Sequence, residues 1–136
     1  MMEDVLRVVI MEAEDAGDDA GATFEGLASY LGVAESRVSL LVRPLAIDRS
    51  VKRVKKRVKF GRRREILKTT ERGRIAAEAI KTWLLAQVVE IDGRTGPMRM
   101  FVEEASPSTR MTELLRKARF VSDKPRRDRP YRKKEL

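Results

Sequence analysis

The period of the apolar residues changes from helical to alternating at Asp48, and that change limits the fold more than any other feature. Before it, apolar side chains recur at helical spacing: Val5, Leu6, Val9 and Ala13, then Phe24, Leu27, Ala28 and Leu31, then Val38, Leu41, Val42 and Leu45. After it, Val54, Val58 and Phe60 share one side and Arg53, Lys55, Arg57 and Lys59 the other, which is strand behaviour with a uniformly basic exposed side. Gly61 and Arg62 can turn the chain, and Arg64 to Thr69, with Ile66 and Leu67, returns as the partner strand. The pattern predicts a mainly α domain with a small β element, a basic two-stranded hairpin set among helices.

Turn and cap residues divide the helical part. The first helix covers Met2 to Ala16 and is broken by Gly17, Asp18, Asp19 and Gly21. Thr23 is an N-cap for a short second helix, and Gly32 is placed to end it in the left-handed conformation. A third helix begins at Ala34 or Glu35. Pro44 removes one backbone bond and is expected to kink or end it near Ala46. Two short helices about a Gly-containing turn make a helix-turn-helix. Thr70 caps a long helix whose face is traced by Ile75, Ala76, Ala79, Ile80, Trp83, Leu84 and Gln87.

The C-terminal third is less regular. Val88 to Ile91, the turn Asp92-Gly93 and a segment with Met98, Met100 and Val102 predict a second hairpin. A last helix from about Thr109 to Phe120 carries Met111, Leu114, Leu115 and Ala118. From residue 121 onward, with SDKPRRDRPYRKKEL holding two Pro and little apolar content, a disordered basic tail is expected. The division is therefore residues 1–85 as the main domain, 86–120 as a hairpin and helix extension, and 121–136 as tail.

The charges are sorted along the chain. Residues 1–36 hold one base and 9 acids, whereas residues 37–74 hold 15 bases and 3 acids, within a net charge of +9. Focused positive charge points to a polyanion, most often nucleic acid, with an anionic membrane surface as the competing reading. The acidic group Glu12, Glu14, Asp15, Asp18 and Asp19 lacks the ligand spacing of a calcium loop and reads as a solvated helix end.

With no Cys and no His, disulfides and thiolate or imidazole metal sites are excluded. No apolar stretch approaches the ~20 residues of a membrane span, and the acidic first residues are unlike a leader, so a cytoplasmic protein is expected. No nucleophile elbow, phosphate-cradling loop or metal constellation is present, so no enzyme activity, cofactor or small-molecule ligand is expected.

The order helix, helix-turn-helix, basic hairpin, long helix resembles the winged helix-turn-helix DNA-binding domains of MarR-type and ArsR-type regulators. The residues that carry the likeness are TFEGLASYLGVAESRVSLLVRPL (Thr23 to Leu45) and FGRRREILKTTERGRIAAE (Phe60 to Glu78). A wing ending in consecutive Arg and a Thr-x-x-Gly-Arg step into the next helix is similar to archaeal transcription regulators of this class. The resemblance implies double-stranded DNA as partner, with the third helix, about 35–46, in the major groove and the wing, about 51–69, on the backbone.

On that reading Arg37 and Arg43 contact guanines, Ser36 and Ser39 bond bases or phosphates, and Leu40 meets a thymine methyl. Arg53, Lys55, Arg57, Lys59, Arg62, Arg63 and Arg64 supply affinity through phosphates or the minor groove. Trp83 and the segment Met98 to Phe101 form either a homodimer surface or part of the monomer core. The alternative function is a non-catalytic interaction or architectural winged helix of a larger nucleic-acid machine, kept open by the exposed Leu40. RNA binding is weaker because stacking aromatics are scarce.

Overall fold

A computed structural model describes residues 2–57 and 63–121. It is mainly helical, with one two-stranded antiparallel sheet and one three-stranded sheet. The chain divides into two compact units, Met1–Lys81 and Thr82–Leu136. No helix among the described residues is long and apolar enough to cross a membrane.

In the first unit, helix α1 (Met2–Asp15) buries Leu6, Val8, Val9, Ile10, Met11 and Ala13. A short 3-10 turn, Ala20–Ala22, leads to α2 (Phe24–Leu31), where the Thr23 hydroxyl accepts from the Gly26 amide at 2.9 Å. Gly32, at φ 71°, ends α2 as expected, since glycine enters the left-handed region without a Cβ penalty. Helix α3 (Glu35–Ile47) starts after Ala34 and buries Val38, Val42 and Leu45. Pro44 lies inside its last turns, and the helix ends at Ile47, one residue past the expected Ala46.

Strands β1 (Val51–Arg57) and β2 (Arg63–Thr69) pair in antiparallel register, Val51 opposite Thr69 and Arg57 opposite Arg63. Val51 and Leu67 join Leu6, Val9, Ile10, Leu27, Ala28, Val38, Val42 and Leu45 in the main core. Ile66 and Val54 pack with Ala13 and Ala22 in a smaller cluster on the other side. The base of the hairpin is thus buried on both faces, which corrects the expectation of one apolar and one wholly exposed basic side. Val58, Lys59, Phe60, Gly61 and Arg62, including the expected turn, lie outside the described residues.

Helix α4 (Glu71–Ala86) follows Thr70, whose hydroxyl accepts from the Gly73 amide at 3.0 Å. The apolar face expected for it is buried only in part, with Leu84 inside, Ala76 and Ile80 half-buried, and Ala77 from outside that face also inside. Ile75 is 68% and Trp83 50% exposed.

The second unit contains β3 (Val88–Ile91), β4 (Arg94–Pro97), α5 (Met98–Glu104), α6 (Met111–Lys117) and β5 (Arg119–Phe120), in sheet order β4-β3-β5. Asp92 and Gly93 turn the hairpin at φ 53° and 82°. The expected return strand through Met98, Met100 and Val102 is a helix instead. Pro97 ends β4 opposite Val88, and Met98 and Phe101 are then buried at i, i+3. The last helix is shorter than expected because the chain extends at Ala118 and Phe120 pairs with Val89, filling the second edge of β3. Val121, placed at the start of the tail, donates its amide to the Val88 carbonyl at 3.0 Å, and residues 122–136 lie outside the described residues.

Candidate nucleic-acid interface

Burying Val38, Val42 and Leu45 turns the opposite side of α3 to solvent. That side presents Ser36, Arg37, Leu40 and Arg43, all exposed, with Ser39 half-buried. Among the described residues neither Arg37 nor Arg43 is in an ion pair. These five residues are brought together on one helix as the sequence predicts.

The hairpin cations are arranged differently from the expectation. The Arg53 guanidinium lies 5.3 Å from the centroid of the Phe24 ring and 3.6 Å from the Glu65 carboxylate. Arg64 meets Glu25 at 2.7 Å. Lys55, opposite Glu65, stays exposed. Arg57 and Arg63 occupy opposite strand positions, and Lys59 and Arg62 lie outside the described residues. Of the three predicted wing residues whose side chains are described, Arg53, Lys55 and Arg64, two therefore already have partners within the chain.

Lysines absent from the prediction complete the basic surface. Lys52 stands opposite Lys68 and Lys56 opposite Arg64, on the side that carries Val54 and Ile66. The signal was present in the sequence as the even-numbered alternation of Lys52, Val54 and Lys56, but the apolar Val54 marked that side as core.

The acidic stretch 12–19 supplies much of the counter-charge and is no solvated helix end. Asp19 pairs with Lys56 at 3.0 Å, Asp15 with Arg74 at 2.8 Å and the buried Glu12 with Lys81 at 3.2 Å. Glu14 accepts from both the hydroxyl and the amide of Thr69, at 2.6 and 3.0 Å. Burial raises the Glu14 carboxyl, yet the two Thr69 hydrogen bonds and the charges of Lys68 and Arg74 outweigh it and hold the group below its ordinary 4.5. At the far end of α1, Arg7 joins Asp4, Asp48 and Ser50. Burial likewise opposes, and bonds from Ser50 and Arg7 override, so that Asp48 lies below its ordinary 3.8.

An open groove of about 190 Å³ lies where the hairpin meets the first turns of α2 and α3, lined by Thr23, Phe24, Glu25, Glu35, Arg64 and Glu65. Its charged groups, Glu25, Glu35, Arg64 and Glu65, reach solvent, whereas Thr23 is buried. No cluster of three or more metal-ligating side chains exists among the described residues. Comparisons of the chain with protein-family models, curated proteins and solved structures find no match.

Proposed function

We propose that this chain is a double-stranded DNA-binding protein of the winged helix-turn-helix type that regulates transcription in the cytoplasm. Helix α3 lies in the major groove, and the β1–β2 hairpin is the wing on the backbone. The observation that carries this reading is the outer face of α3, where Arg37 and Arg43 project without an ion pair among the described residues while neighbouring hairpin cations are matched by acids. A bare guanidinium is a bidentate donor to guanine O6 and N7. Two copies reading two half-sites would extend the contact.

A second reading is favoured by Leu40 and Ile47, 56% and 75% exposed on α3. They would suit a partner protein, with the chain acting as an architectural module in a larger machine. The distinguishing experiment is fluorescence anisotropy of a mixed-sequence duplex across a salt series, with single-stranded DNA and folded RNA as competitors. Neutralising about five phosphates gives a slope of log affinity against log salt near −4 to −5. Preferred duplex binding with that slope supports DNA recognition, and no duplex binding at low salt overturns it.

A further inference from the structure

Register in the hairpin sets like charges face to face. Lys56 is directly opposite Arg64, so the two side chains leave the same side of the ribbon and repel. Each is met by a carboxylate from outside the hairpin: Lys56 Nζ lies 3.0 Å from Asp19 Oδ2, and Arg64 Nη1 lies 2.7 Å from Glu25 Oε1. Asp19 precedes the 3-10 turn, and Glu25 sits in the first turn of α2. Two adjacent cations are thus neutralised by two separate acids, in pairs that solvent still reaches.

We infer that Lys56 and Arg64 form a phosphodiester-binding site that Asp19 and Glu25 occupy in the free protein and yield to two backbone phosphates of a duplex. The inference rests on the DNA-binding reading and adds Lys56 to its residues. Exposed ion pairs of this kind are weak in water and further screened by salt. A duplex offers a denser anionic charge, and its binding is driven by release of condensed counterions. The opposed pair needs an anion in both states, so exchange of carboxylate for phosphate leaves no uncompensated repulsion in the hairpin. Asp19 and Glu25 then set how strong a polyanion must be to engage the wing.

The test compares wild type, Asp19→Asn/Glu25→Gln and a charge-matched control, Glu3→Gln/Glu103→Gln, by anisotropy with a short mixed-sequence duplex. Circular dichroism checks folding, and Glu25→Gln alone serves if the double variant does not fold. Freed of its internal acids, the protein should bind about threefold to tenfold tighter, against about twofold or less for the control. Adding Lys56→Gln should give most of that gain back, and should cost less affinity in the wild-type background. A gain no larger than the control's, or a Lys56→Gln effect equal in both backgrounds, overturns the phosphate site while leaving DNA binding intact. Failure of wild type to bind any duplex overturns the functional reading, and the site with it.

Discussion

Arg49 follows α3 at φ 64°, where Gly17 and Gly32, at φ 69° and 71°, follow α1 and α2. Its amide donates to the Ala46 carbonyl at 3.2 Å, and the Ser50 amide donates to Leu45 at 2.8 Å, so the helix closes with the same paired bonds that usually recruit glycine. A side chain in this conformation costs about 1–2 kcal/mol, while glycine gives back part of that through its freer unfolded chain. The steric term is the larger. Arg49→Gly is therefore expected to stabilise the protein by about 0.5–1 kcal/mol in urea denaturation. Glu14 is the opposite case, since its carboxylate is the acceptor for two donors of Thr69, a residue only 8% exposed. Removing the acceptor in Glu14→Ala should cost about 1–3 kcal/mol by the same measurement, with Glu14→Gln recovering part of it.

At the scale of elements, Gly73 shows which of two local effects decides. Helix propensity alone makes Gly73→Ala favourable, by up to about 1 kcal/mol, in the first turn of α4. A Cβ at that position, however, would run into the Ser50 carbonyl at the base of β1. Backbone cannot yield as a flexible side chain can, so overpacking of about 1–3 kcal/mol outweighs propensity and the variant should melt earlier. On α3, Arg37→Ala or Ser39→Ala is expected to change relative affinity among duplex sequences by about 1–3 kcal/mol at one base position, read by competition binding. Equal weakening on every sequence would demote α3 to backbone contact.

Element types that rest on strong periodicity or on caps were legible: α1, α2 between Thr23 and Gly32, α3, and both strands of the hairpin. The exposed face of α3 was legible too, because its buried stripe is unambiguous. What escaped was decided by tertiary pairing. Phe120 is a strand residue because β3 has a free edge, and Met98 opens a helix because Pro97 ends β4. The partners of Arg64 and Lys56 were invisible because they come from acids distant in sequence.

At the scale of the molecule, charges separated along the sequence recombine in space. Acids from α1 to α2 face bases of the hairpin and α4, so part of the basic block counted toward a polyanion is spent internally. This makes the fold acid-sensitive in a definite direction. Glu14 and Asp48 titrate lower folded than unfolded, so their contributions are complete above the ordinary values of 4.5 and 3.8 and disappear as pH falls through the lower folded values. As acid is added, the net charge of the chain also rises from the +9 it carries at neutral pH toward that of its 30 bases. Loss of attraction and growth of repulsion then act together. Between pH 5 and pH 3 the melting temperature should fall by at least about 4–8 °C, the shift that roughly 1 kcal/mol produces in a unit of this size. Added sodium chloride separates the two causes. If net repulsion dominates in acid, salt raises the melting temperature at pH 3 because it screens like charges. Unchanged or lower melting temperature in salt at pH 3 would place the acid sensitivity in the individual Glu14 and Asp48 bonds instead.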